Sequence, residues 1–255
     1  MDFLCGAATD IGTAKKTNQD SLLIKIGNCS ENNVALVILC DGMGGLDKGE
    51  IASAYVVDEF NKWITDRFPI IIDEEDCLEK VKADWNNMLI EMNYNLNLYG
   101  KSNKIHIGTT LAGLLIINDK CLIVNVGDSR TYLLNHTIEQ ISEDQSLIAR
   151  EIKLGRINKE QALTDPRRNI LLQCIGVTKD INPEFYEKTV NIDDEYLLCS
   201  DGFIHMVSEE EIFEMLSPDN IFDESDINTI LEKIIKINIE RNETDNITAA
   251  LIKII

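Results

Sequence analysis

One pattern recurs along this chain: an apolar strand that runs directly into, or out of, an aspartate. The clearest copy is residues 34–40, an apolar run that stops at Asp41 and is followed by Gly42, Gly44 and Gly45. Such a run reads as a buried strand. Glycines bend the backbone sharply and let it approach a ligand closely. The design returns at residues 197–202, where an apolar run ends in Asp201-Gly202, and at residues 121–128, which lead to Gly127-Asp128. Asp245 immediately precedes the strand expected over 247–254, and Asp20 the one over 21–26. Taken singly, each is equally well a solvated turn residue. Five carboxylates scattered over the whole chain meet only if the fold gathers the strand ends at one point.

The rest of the pattern supplies the layers that could do so. Residues 2–8 read as a first strand. Residues 21–26 with 34–40, and 109–117 with 120–126, read as hairpins turned in polar loops. Strands are also expected at 130–134, 138–141 and 195–200, and residues 247–254 complete an edge. Ala52, Val56, Phe60 and Trp63 fall at helical spacing, as do Leu78, Val81, Trp85, Met88, Met92 and Leu96 over 76–99. Both tryptophans are read as core. Further helices are expected over 208–216, where Ser208 and Glu211 make a capping box, and over 226–240. Residues 144–187 break the strand rhythm with helical pieces at 147–154 and 159–163 and a basic cluster at Arg167-Arg168. The fold class expected is α+β: two stacked antiparallel sheets with helices on both outer faces, in one domain over 1–255.

Composition removes several functions. A net charge of −20, from 24 basic and 44 acidic side chains, opposes nucleic acid and anionic membrane surfaces. No apolar run is long enough to span a membrane. The seven cysteines are odd in number and form no C-x-x-C pair, and no leader is evident. Reduced thiols and a cytoplasmic location are therefore expected. Clustered carboxylates with no histidine in their motifs select hard cations, Mg²⁺ or Mn²⁺, over zinc. Other phosphate chemistries lack their parts. No cysteine has an arginine six positions on, Asn95 stands where the glycine before Gly100-Lys101-Ser102 would have to be, and no Gly-x-Ser-x-Gly elbow occurs.

In order along the chain, Thr9-Asp10-Ile11-Gly12 to Asp20, Asp41-Gly42-Met43-Gly44-Gly45, Gly108-Thr109-Thr110, Gly127-Asp128-Ser129-Arg130, Ser200-Asp201-Gly202 and Asp245-Asn246 resemble the motifs of the metal-dependent serine/threonine protein phosphatases of type 2C, in their bacterial form. The resemblance implies the α-β-β-α sandwich, with 144–187 as a flap beside the cleft. It implies a phosphoprotein substrate set by an opposing kinase. It also implies two bound cations whose bridging hydroxide attacks phosphorus in line, without a covalent intermediate. Asp41 would bridge the ions, the Gly42 carbonyl would serve one, and Asp201 and Asp245 the other. Asp20 would orient water, and Asp128 would help hold a third ion. Two positions depart from the family. Lys15 stands in place of the phosphate-binding arginine and is the substrate-binding candidate, with a point charge instead of a planar fork. Leu46 stands where relatives often carry histidine, so a proton donor is missing. A catalytically silent phosphoprotein-binding regulator on the same fold is the rival expectation.

Overall fold

The computed structural model describes residues 1–43 and 48–255, so Leu46 lies outside the described residues. Strand β1 (Phe3–Asp10) is followed by a hairpin of β2 (Asp20–Cys29) and β3 (Asn32–Asp41), then by α1 (Gly49–Asp66), the short α2 (Phe68–Ile71) and α3 (Cys77–Asn103). Next come β4 (Leu111–Ile117), β5 (Lys120–Val126), β6 (Arg130–Leu134) and β7 (Ile138–Gln140). Helices α4 (Leu147–Lys153) and α5 (Lys159–Leu163) precede β8 (Glu184–Thr189) and β9 (Glu195–Cys199). The chain ends with α6 (Asp201–Ile204), α7 (Glu209–Met215), α8 (Glu224–Glu240) and β10 (Ile247–Ile254).

The strands form two antiparallel five-stranded sheets, ordered β1-β10-β9-β6-β7 and β2-β3-β4-β5-β8. Because side chains alternate across a strand, each central strand feeds two cores. From β3, Ala35, Val37 and Leu39 pack between the sheets against Leu198, Ala250 and Ile252. Leu36, Ile38 and Cys40 point the other way, onto Phe60 and Trp63 of α1 and Trp85 and Met92 of α3. On the far side, Leu197, Cys199, Ala249 and Leu251 meet Ile212 of α7 and Ile227, Leu231 and Ile234 of α8. This double burial explains why the strands read as unbroken apolar runs and not as alternating ones. Trp85 meets both Phe60 and Trp63 edge-on, with ring centroids 5.2 and 5.5 Å apart, so both tryptophans are core residues as expected.

Two expectations need correction. Strand β10 is not an edge. It lies between β1 and β9 with all eight residues buried. Its one charge, Lys253, is satisfied by donating to the carbonyls of Pro218 and Ile221. Residues 184–187, read as part of the insertion, belong to β8, which pairs with β5 at the sheet edge. Glu184, Glu187 and Lys188 interrupt any apolar period there, which is why the strand was not legible.

The helical insertion stays close to the sheet ends. Gln145 clasps Gly127 twice, its amide donating to the Gly127 carbonyl (2.8 Å) and its side-chain oxygen accepting from the Gly127 amide (2.9 Å). Arg130 holds Asp144 with two parallel bonds of 2.8 and 2.7 Å. At the other end of the insertion, Ile175 and Thr109 exchange backbone bonds of 2.9 and 3.0 Å. Among the described residues, no helix is long and apolar enough to cross a membrane.

Candidate metal centre

Antiparallel pairing decides which strand ends meet. β2 and β3 pair so that Asp20, the first residue of one, faces Asp41, the last of the other. β9 and β10 pair with Cys199 opposite Ala249, so the end of β9 and the start of β10 also share one end of their sheet. Asp201 lies just past β9, after Ser200, and Asp245 lies just before β10, ahead of Asn246. A hydrogen bond of 3.1 Å from the Ser200 hydroxyl to Asp20 Oδ2 joins the two sheets across this end.

The structure therefore brings all five sequence-assigned aspartates together. Burial, and then repulsion from Asp20, Asp201, Asp128 and Asp245, hold the Asp41 carboxyl well above its usual range. Asp128 is pushed up to about 8 by burial, with Asp201 and Asp144 adding to the shift. Asp20 is pushed up to about 6, again mainly by burial; hydrogen bonds from Thr248 and Ser200 oppose the shift, and Asp201 and Asp245 add to it. Asp201 is raised by burial, partly relieved by His205. Like charges crowded in a desolvated place favour protonation, or a cation.

Polar neighbours hold the backbone and leave carboxylate oxygens over. The Asp41 amide donates to Thr110 Oγ1 (3.0 Å), while the Asp41 carbonyl accepts from the Thr110 amide (2.9 Å) and the Thr109 hydroxyl (2.8 Å). Thr110 Oγ1 also meets the buried Ser129 hydroxyl at 2.6 Å. At Gly42 the chain passes so near its neighbours that a Cβ would lie 2.4 Å from the Gly49 carbonyl oxygen and 2.5 Å from that of Gln19. Asn246 accepts from the Gln19 amide and donates to the carbonyls of Ile11 and Thr17, strapping the loop that carries Lys15. Yet Asp20 Oδ1 and Asp201 Oδ1 are buried without a hydrogen-bond partner. Buried carboxylate oxygens rarely stay unpaired, and an all-oxygen donor set suits Mg²⁺ or Mn²⁺. The residues thus fit the divalent cations that the sequence implies. Among the described residues, no three acidic, histidine or cysteine side chains already form a closed cage for one ion.

Two basic side chains already sit on this centre. Lys15, expected at the substrate, lies with Nζ 2.5 Å from Asp245 Oδ1. His205 stands between Asp201 Oδ2 (3.4 Å) and Glu243 Oε2 (3.1 Å) and is raised to about 9, the two acids outweighing its burial. Glu243, only 2% exposed, also accepts from the amides of Thr244 and Asp245 and so shapes the Asp245 loop. Sequence reasoning missed His205, Glu243 and Ser200. The available signals were the i,i+4 spacing of Asp201 and His205, which puts both on one helical face, and a carboxylate two residues before Asp245.

Comparison with known proteins agrees with this geometry. The family described as Protein phosphatase 2C matches residues 12–242. The serine/threonine phosphatase stp of Listeria monocytogenes is 34% identical over 251 residues, covering 96% of this chain and 93% of the relative. The serine/threonine phosphatase Stp1 of Staphylococcus aureus superposes with a TM-score of 0.85 at 30% identity, covering 98% of this chain and 94% of that one. The catalytic domain of the serine/threonine protein phosphatase PstP, solved with two manganese ions, superposes with a TM-score of 0.78 at 25% identity, covering 98% of this chain and 97% of that one. With its motifs, its two-sheet sandwich and its aspartate centre all in accord, this chain belongs to the protein phosphatase 2C family of serine/threonine phosphatases.

Proposed function

We propose that this family member removes phosphate from serine and threonine side chains of proteins at the aspartate centre, with Mn²⁺ or Mg²⁺ as its cations. The observation that carries the reading is the convergence of Asp20, Asp41, Asp128, Asp201 and Asp245 with two buried oxygens left unpaired. Asp41 and the Gly42 carbonyl would hold one ion, Asp41 with Asp201 and Asp245 a second, and Asp128 would serve a third. When bound, such ions lower the pKa of water and offset charge on the phosphoryl oxygens.

The chain's own groups do the rest. Asp20, held through Oδ2 by Ser200, would orient water at the centre and take up its proton. Lys15, whose ammonium lies at Asp245, would supply a cation for a phosphoryl oxygen. Thr109, Thr110 and Ser129 fix the Asp41 backbone, so its carboxylate does not have to reorganise as the substrate binds. The start of the insertion is tied to the strand ends beside Asp128, Gln145 to Gly127 and Asp144 to Arg130, which supports the reading of this insertion as a flap that would meet the phosphoprotein. The substrates would be phosphoproteins made by an opposing kinase, in the cytoplasm. Phosphopeptide turnover measured with Mn²⁺ and with chelator tests the reading. Turnover should need the metal and should vanish in Asp41→Asn; full activity in excess chelator refutes the reading.

A further inference from the structure

Asp201 and Asp245, the two aspartates proposed to share one ion, each have a basic side chain against them. His205 stands 3.4 Å from Asp201 and Lys15 stands 2.5 Å from Asp245. The Lys15 contact is built in. Its loop turns at Gly12, whose φ of +74° and whose missing Cβ, only 1.9 Å from the Asp245 carbonyl oxygen, let the chain press onto the Asp245 backbone. Thr13 donates to the Glu243 carbonyl (2.6 Å), and Asn246 binds the carbonyls of Ile11 (2.9 Å) and Thr17 (3.2 Å). Both sides of Lys15 are thus tied to the segment that presents Asp245. On Asp245 Oδ1, the second lone pair is used by the Asn246 amide at 2.8 Å. A divalent ion that takes this oxygen has to displace the ammonium. One that takes Oδ2 of the same carboxylate sits beside a like charge.

Building on the metal-centre reading above, we propose that Lys15 is an internal counter-ion of the Asp245 subsite, exchanged for the metal. It weakens metal binding there. Once displaced, it is free to hold a phosphoryl oxygen. Metal loading and phosphate capture are thereby coupled, each favouring the other to the same degree.

The test is Mn²⁺ titration calorimetry on the full chain and on Lys15→Met, with melting curves for both in chelator. A half-buried ion pair of this kind, its side chains 25% and 35% exposed, is worth only a modest energy, so Lys15→Met should bind Mn²⁺ about two- to tenfold more tightly. In chelator its melting point should fall, because a carboxylate in the cluster loses its partner, and Mn²⁺ should restore it. Inorganic phosphate should bind the Mn²⁺-loaded variant more weakly than the Mn²⁺-loaded parent. Mn²⁺ affinity equal to or below that of the parent overturns the counter-ion role. Tighter Mn²⁺ with unchanged phosphate affinity overturns the coupling. A parent protein that takes up no Mn²⁺ refutes the metal-centre reading itself, and that outcome appears in both proteins alike. Lys15→Gln replaces the methionine variant if the latter fails to fold.

Discussion

In chelator, Asp20→Asn should be more stable than the parent near neutral pH and close to it in acid. The folded protein raises the Asp20 carboxyl from 3.8 to about 6. Burial is the main cause, and Asp201 and Asp245 add to it against hydrogen bonds from Thr248 and Ser200. The folded state therefore binds this proton more tightly than the unfolded state does. Below the unfolded pKa both states hold the proton and the shift costs nothing. As pH rises through the folded value of about 6 the folded chain must give the proton up, and stability is lost. A shift of roughly 2 units at ~1.4 kcal/mol each amounts to about 3 kcal/mol. For a chain of this size that is about 6–12 °C in melting temperature. Asparagine has a similar shape, keeps one acceptor for Ser200, and carries no charge to expel. The chain has many other acids, so the informative quantity is the difference between the two proteins. Melting curves from about pH 4 to about pH 8 in chelator should diverge by several degrees across the window near 4–6 and stay apart above it. Saturating Mn²⁺ should close the gap, since the cation relieves in the parent the same repulsion that the substitution removes. Parallel curves in chelator would refute the argument that crowded carboxylates destabilise the metal-free centre.

Two further outcomes are expected. Gly42→Ala should abolish turnover and lower stability by ~2 kcal/mol or more, because its Cβ would meet backbone oxygens of Gly49 and Gln19 at 2.4 and 2.5 Å; an active, equally stable variant on a melting curve would contradict the close approach. Leu46→His should speed phosphoserine peptide turnover by about 10²-fold or more while changing aryl phosphate turnover little, since only the basic serine alkoxide needs a proton donor; equal effects on the two substrates, measured in parallel, would rule out a missing acid at that position.

How much of this was legible depended on the kind of signal. Strands β3, β4, β5 and β10 are buried on both faces, so their composition alone marks them. The capping box of Ser208 and Glu211 marks the start of α7, where both of its hydrogen bonds form. Helix α3 runs four residues past the expected Tyr99 and stops where Lys104 takes a left-handed backbone conformation, for which no glycine gave warning. Strand β8 was hidden by its charges, and β10 looked like an edge because sheet order is set by partners far away in sequence. The aspartates were legible because each ends or begins a strand. Lys15 was legible as a candidate but not in its contact, since nothing local says that residue 15 reaches residue 245. Glu243 and His205 left only weak local signals, and what the fold adds is the contact between them that ties the Asp201 helix to the Asp245 loop.

The structure also explains why the motif blocks contain more than their aspartates. Thr109, Thr110, Ser129, Asn246 and Gln19 are all buried and polar, and their hydrogen bonds go mainly to main-chain groups. Thr109 and Thr110 bind the Asp41 backbone, Asn246 binds the loop of Lys15, and the Gln19 carbonyl accepts from Gly42 and from Ser53. None of these side chains spends its hydrogen bond on an aspartate carboxylate, although the Asn246 main-chain amide occupies one lone pair of Asp245 Oδ1. Ser200 does, but on a single oxygen of Asp20, leaving the other one buried and unpaired. The backbone is thus held firmly while Oδ1 of Asp20 and Oδ1 of Asp201 stay open, which is what a cation requires of its ligands. A centre built this way is strained by its own charge until a cation arrives. In that setting the ammonium of Lys15 on Asp245 makes physical sense: it offsets one of the crowded charges from within the chain.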